Sequence, residues 1–279
     1  MQPFLSRKIP MVLAGKAALS EHYYELQPHL GRMGVNATVG GATKILEEME
    51  RDLRFDDGRH SVVELVINGT LSYIMTNVWA GRPLEATIRE AVYLKFAEPG
   101  INNQIPDPFG VFKGEVEGDI PKKVRIILQH IYGKRIGRPI KATDLKVWDF
   151  TEDAMMRFTA GNARRKYVVR ISTSRLPPQL EVNSPGSIWG EIENKVFVSG
   201  GFCYIPKDSP LDRWVPNSGP GNAVNIVQGG RQRTLQADGA GDLATVGTLL
   251  SDSRRLCPPE GVVVRKSANA LADVDDSIG

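Results

Sequence analysis

SVVELVINGTLSYIMTNVWAG, residues 61–81, is the stretch on which the first half of this chain turns. It is apolar nearly all round. Its spacing fits a buried helix and a pair of strands about equally, because a short continuous apolar run shows neither the 3.6-residue stripe nor the two-residue alternation that separates them. Both readings stay open from the stretch itself, and its flanks are clearer. Upstream, Ile45, Leu46, Met49 and Leu53 recur at one-turn spacing within Ala42–Phe55, with Glu47, Glu48, Glu50, Arg51 and Asp52 on the other side. That pattern predicts a surface helix with one buried stripe, closed by a turn at Asp56, Asp57 and Gly58.

Downstream, Pro83 suits a first helical turn, and Leu84, Ile88, Ala91, Val92 and Phe96 form a second stripe that stops at Pro99 and Gly100. A third helix is expected from Asp119 as N-cap, with Pro121 in its first turn and Val124, Ile127, Leu128 and Ile131 on one face until Gly133. Between them, INNQIPDPFGVFKGEVEG (101–118) reads as a loop with one short strand. From about Ile140 the texture changes to short β-type runs: LKVWDF, KYVVRIS, QLEVN, SIWGEI, KVFVSGGFCYI, AVNIV, RTLQA and GVVVRK. Turn residues every ten or so positions predict an antiparallel sandwich, barrel or curled sheet in place of βαβ units. The expected class is α+β, with a helix-containing N-terminal half (1–140) and a β-rich half (141–266). A Pro/Gly-rich arm is expected at 205–222 and a mobile acidic tail at 267–279.

Across 279 residues, 41% hydrophobic and 24% charged residues are ordinary for a folded chain. The apolar runs, such as Val62–Ile67 and Val124–Leu128, fall well short of the ~20 residues a bilayer span needs. The N-terminus interrupts its apolar patch, Ile9–Ala14, with a proline, so no secretory leader is expected. Two cysteines, Cys203 and Cys257, make no disulfide framework or metal motif, which points to a reducing compartment. With a net charge of +3 there is no strong basic stripe. The basic groups Lys134, Arg135, Arg138 and Lys141, and Arg164, Arg165 and Lys166, read as solvated turns.

The motifs that name chemistry are missing. NSGPGNAVNIVQGGRQRT (217–234) begins with Gly219 and Gly221, but Val224 stands where a dinucleotide fingerprint needs its third glycine, and Pro220 removes a backbone donor. Gln228-Gly229-Gly230-Arg231 reads as a hairpin turn. No GxxxxGK[ST] occurs. His22, His29, His60 and His130 are scattered, no GxSxG is present, and neither cysteine has an activating neighbour. Glu191 and Glu193, two apart on a strand, would lie ~7 Å apart on one face, which permits a glycosidase pair without being diagnostic of one. They resemble the Glu-Ile-Asp core of jelly-roll glucanase motifs, but Glu193 replaces the Asp, and Lys195 or Val196 stands where a further carboxylate is expected. A solvent-facing strand is the plainer reading. No catalytic, cofactor-binding or metal-binding residue is assigned, and no cofactor is expected.

The helical first half with its Ile45–Leu53 and Leu84–Phe96 stripes, the β-rich second half, the Pro-rich arm and the acidic end at Ala272–Gly279 together resemble structural proteins of tailed bacteriophage virions. The head-to-tail adaptor and tail-tube classes are the nearest in texture. The resemblance implies a non-enzymatic subunit of a ring or tube, partnered by copies of itself and other virion proteins, with DNA passing non-specifically through a channel. It also implies virion localisation after assembly in the host cytoplasm. Two alternatives stand beside it: a carbohydrate-active β-sandwich enzyme using Glu191 and Glu193, and a nucleic-acid-binding module using Arg164, Arg165 and Lys166.

Overall fold

The computed structural model of the chain describes residues 2–53, 59–97, 107–161, 163–175 and 184–258. Helices α1 (Gln2–Ser6), α2 (Ala17–Leu26) and α3 (Ile45–Asp52) come first, interleaved with β1 (Met11–Val12) and β2 (Met33–Gly34), which pair in parallel. The stripe expected on α3 is present, with Ile45, Leu46 and Met49 buried.

Residues 61–81 then divide. Ser61–Val66 is strand β3, Gly69–Trp79 is helix α4, and Asn68 stands between them as the N-cap, its side-chain oxygen accepting from Leu71 N–H at 2.8 Å. The stretch has no single period because it changes period at Asn68. It is apolar throughout because β3 lies inside the sheet and α4 buries Leu71, Tyr73, Ile74 and Met75. After α5 (Leu84–Tyr93), helix α6 (Pro108–Lys113), a π-helical turn (Gly114–Asp119) and α7 (Ile120–Ile136) follow one another without a break. The loop and strand expected over 101–118 are therefore helical from Pro108 onward. Asp107 causes this by capping α6, accepting from Phe109 and Gly110 N–H at 3.1 and 2.9 Å. Helix α7 passes the expected stop at Gly133 and ends at Gly137, whose φ of 84° closes it. Pro99 and Gly100 lie outside the described residues.

The second half contributes β4 (Lys146–Val147), α8 (Glu152–Thr159), β5 (Arg165–Ser172), β6 (Ile188–Ile192), β7 (Val196–Tyr204), β8 (Gly221–Gln228), β9 (Arg231–Asp238) and α9 (Asp242–Leu256). Among the described residues the main sheet is antiparallel and open, in the order β4-β6-β7-β5-β3-β8-β9. The α+β class is the one observed. The runs QLEVN and GVVVRK and the tail at 267–279 fall outside the described residues. Register places Val63 between Ile171 and Ile226, and these belong to one core with Val124, Ile127 and Leu128 of α7. Phe112, Phe150, Phe158 and Phe202 stack within that core, with Phe158 and Phe202 centroids 4.6 Å apart. The arm at 205–222 closes on its own sheet through Trp214 and Val215, which pack with Val66, Val168 and Ala223. No helix among the described residues is long and apolar enough to cross a membrane.

Candidate active site

A cleft of about 1270 Å³ opens where the start of α4, the π-helical turn, the 37–41 loop and the first turn of α9 meet. The floor is charged. Asp119, the last residue of the π-helical turn, receives Lys16 Nζ on Oδ1 at 3.2 Å and Lys123 Nζ on Oδ2 at 2.7 Å. Asn68 Nδ2 donates to the same Oδ2 at 2.9 Å and to Glu115 Oε2 at 2.5 Å. Lys123 Nζ also donates to the carbonyl of Ile67 at 2.7 Å. The cap bond to Leu71 fixes the Asn68 amide, with oxygen toward α4 and nitrogen toward the carboxylates. Glu115, Asp119 and Lys123 follow at four-residue steps, and the π-helical turn widens the backbone where the two carboxylates must both reach Asn68.

The electrostatics split the carboxylates. Burial, reinforced by the Asp119 charge, lifts the Glu115 carboxyl above its ordinary value. Burial pushes Asp119 up as well, but Lys123 and Lys16 outweigh it and hold Asp119 below the usual range. The site thus sets an ionised carboxylate between two amines beside a carboxyl that retains its proton more readily. At the mouth, Lys95 Nζ meets Asp242 Oδ2 at 2.8 Å, tying the end of α5 to the start of α9. Gly69 lets α4 begin directly against the loop before α9: a Cβ there would lie 2.8 Å from both Ala240 N and Pro220 O.

None of these residues was assigned a chemical role from sequence. Asp119 read as a helix N-cap, yet it makes no capping bond and faces the lysines instead. The signal available was the Glu115–Asp119–Lys123 spacing. A second overlooked pattern is Gly239-Ala240-Gly241-Asp242-Leu243-Ala244, a GxGxxA that follows strand β9 and opens α9.

The residues that sequence did single out are not brought together. Glu191 lies in β6 and pairs with Arg175 at 3.2 Å, whereas Glu193 sits with Asn194 in the β6–β7 turn at positive φ and binds Arg138 at 2.5 Å. Since the strand ends between them, they do not share a face, and the glycosidase pair is corrected. The basic trio also disperses: Arg164 is buried against Asp212, Arg165 bonds the carbonyls of Phe158 and Ala160, and Lys166 is buried against α4. No phosphate-binding patch forms from them. Arg138 is forked onto Asp144 at 2.8 and 2.9 Å. His22 pairs with Glu25, His29 with Arg32, and His130 with Tyr23 and Glu50, each in a different place. Among the described residues no group of three or more His, Cys, Asp or Glu is placed to hold a metal ion. The turn at Gly229 and Gly230, with φ of 56° and 76°, joins β8 to β9 as the hairpin expected.

Solved structures share this fold. It is similar to a protein described as a homoserine dehydrogenase from Archaeoglobus fulgidus (TM-score 0.60, 22% identity, 90% of this chain and 68% of that one). It is similar to the homoserine dehydrogenase of Thermoplasma acidophilum (0.56, 16%, 88% and 66%) and to a hyperthermophilic archaeal homoserine dehydrogenase in complex with NADPH (0.57, 20%, 90% and 65%). The chain thus spans about two thirds of the length of these neighbours. No protein-family model matches the sequence, and no curated protein matches it. These neighbours overturn the expectation of a non-enzymatic phage connector or tail subunit, and the virion localisation falls with it. Helical stripes followed by short strands are common to many α+β folds, so texture alone carried no function.

Proposed function

We propose that this chain carries the substrate-handling part of an oxidoreductase that interconverts a small amino-acid alcohol, L-homoserine, with its aldehyde. The observation that carries the reading is the Lys16–Asp119–Lys123 cluster, joined through Asn68 to Glu115, on the floor of a cleft in a fold shared with homoserine dehydrogenases. A zwitterionic substrate needs acidic and basic partners side by side, and this floor supplies both. Lys16, partly exposed, suits a ligand carboxylate; Glu115 and Asp119 suit an ammonium group. Lys123 has two of its three N–H groups committed, to Ile67 and Asp119, and lines the cleft, so in the aldehyde-reducing direction its ammonium is placed to hand a proton to the ligand oxygen.

Such a reaction implies a nicotinamide dinucleotide, which one neighbour holds as NADPH. The described residues do not fit its diphosphate. In the GxGxxA pattern the glycines are used by internal packing: a Cβ on Gly239 would overlap the Asn222 side chain, and one on Gly241 would lie 2.9 Å from the Phe96 ring. Asp242 adds a carboxylate to the first turn of α9, where a phosphate would need bare N–H groups.

Calorimetric titration of the chain with L-homoserine tests the reading. Binding is expected, weakened at least tenfold by Lys123→Met and by Asp119→Asn, with circular dichroism unchanged. Absence of binding to the wild-type chain at tens of millimolar would refute it.

A further inference from the structure

We propose that Asn222 is a positioning residue for the cleft: its carboxamide engages the peptides at Gly239 and Ala240 when a ligand fills the site. The inference rests on the reading of the cleft given above and adds a residue to it. Four asparagines are buried among the described residues, and three of them use both ends of the amide. Asn36 accepts from Glu47 N–H and donates to Asp252, Asn68 accepts from Leu71 N–H and donates to Asp119, and Asn225 accepts from Gln232 and donates to Glu64. Asn222, 0% exposed in β8, uses neither end: among the described residues its Oδ1 and Nδ2 meet no hydrogen-bond partner. A buried amide left unmatched at both ends is costly, and folded chains keep few of them.

The surroundings of Asn222 give the amide its use. Strand β9 ends at Asp238 and α9 begins at Asp242, and the loop between them crosses the Asn222 side chain so closely that a Cβ on Gly239 would lie 2.0 Å from Nδ2 and 2.3 Å from Oδ1. The same loop borders the cleft, which Gly239 and Ala240 line. A peptide offers one N–H and one C=O, the complement of a carboxamide. Here the loop commits its Gly239 N–H to Pro220 O at 2.9 Å instead. Glycines at 239 and 241 leave the loop free to turn. Its contacts with the body are backbone against glycine: a Cβ on Gly41 would lie 3.0 Å from Asp238 O, and one on Gly69 would lie 2.8 Å from Ala240 N. Contacts of this kind let a small rotation exchange the Pro220 bond for the Asn222 amide. A ligand lying against Gly239 and Ala240 favours the arrangement in which the loop is held from behind, and Asn222 raises the share of the chain already in it.

The test compares Asn222→Leu, which keeps the branched shape and removes both polar ends, with the wild-type chain in three measurements. The melting temperature is expected to rise by about 2 °C or more, because the unmatched amide is gone. The Kd for L-homoserine by calorimetry is expected to weaken about fivefold, the size of one hydrogen-bonded amide. Deuterium exchange at residues 239–241 with no ligand added is expected to slow about threefold, because the second arrangement of the loop loses its support. A purely structural residue would lower stability and binding together, so movement in opposite directions marks positioning. A lower melting temperature, or an unchanged Kd in the folded variant, would overturn the proposal and leave the substrate reading standing. If the wild-type chain does not bind L-homoserine, the substrate reading falls alone and the exchange rates decide: slower exchange in the variant upholds the role of Asn222, and equal exchange overturns it. Should Asn222→Leu not fold, Asn222→Val is carried through the same measurements with the same criteria.

Discussion

Lys166 offers the clearest energetic test of the fold. Its side chain is 1% exposed, and its Nζ donates to Ser72 O at 2.7 Å, Ser72 Oγ at 3.0 Å and Thr76 Oγ1, all on α4. None of these partners is a carboxylate. Burial, helped by the charge of Arg164, pushes the amine down from 10.5 to about 7. Because the folded state holds this proton more weakly than the unfolded chain, stability is fullest above the unfolded value and is lost as pH falls from about 10 through about 7. At about 1.4 kcal/mol per pH unit, the gap sets an upper limit of roughly 5 kcal/mol on the charging penalty below pH 7. Lys166→Met keeps the length and removes the charge. The three hydrogen bonds it deletes leave little orphaned, since Thr76 Oγ1 already donates to Ser72 O at 2.7 Å, so about 1–2 kcal/mol is set against the gain. The variant is expected to be about 1–3 kcal/mol more stable at pH 6, roughly 2–8 °C in Tm for a chain of this size, with the advantage vanishing toward pH 9.5. Urea unfolding at pH 6, 7.5 and 9 measures this. A variant destabilised by the same amount at every pH would refute the argument that the buried charge, and not the packing, controls this site.

Glu115→Gln tests the split carboxylates: because the folded state holds the Glu115 proton more tightly, wild-type stability should decline as pH rises above about 4.5, and the variant should remove that decline. It is expected to be more stable than wild type at pH 8 and level with it near pH 4, read from urea midpoints; the reverse order would refute the assignment. Gly69→Ala should invert the usual helix preference, costing about 1–3 kcal/mol where an ordinary helical glycine would gain about 1, because the new Cβ meets Ala240 N and Pro220 O at 2.8 Å. A thermal melt at or above wild type would contradict that contact. Phe150→Ala should cost about 3–5 kcal/mol in chemical denaturation, since the ring is 1% exposed and packed between Phe112 and Phe202, with centroids 5.9 Å away in each case.

How much of this was legible in the sequence depends on whether a feature is local. The α3 stripe, the α5 stripe and the β8–β9 turn are set by neighbours within a few residues, so spacing and glycine were enough to read them. Residues 61–81 were not legible, because one capping side chain, Asn68, converts a strand into a helix inside an unbroken apolar run, and its capping role depends on a bond that spacing does not show. The helix over 108–119 hid behind Asp107, Pro108 and Gly110, residues that mark a turn as readily as a helix start. The placement of β3 between β5 and β8 is a pairing across more than 100 residues that no window could contain.

The site was the least legible because its chemistry lies in convergence. Lys16, Asn68 and Asp119 span 103 positions and meet only when α2, α4 and the π-helical turn share one cleft. Motif reasoning looks for reactive residues close in sequence, and it found Glu191 and Glu193, which the chain reversal at Glu193–Asn194 carries apart. The same limit governed α9. A count of apolar positions along 242–256 cannot show that Thr248 and Asp252 are the residues facing in, and without that orientation the leucines look like core. Only the buried polar seam reveals that Leu243, Val246 and Leu250 point away from their own body. The physical reason is general: which side of a helix faces in is set by the partners it meets in space, and an inward side held by hydrogen bonds, as at Thr248 and Asp252, cannot be read from apolar spacing alone.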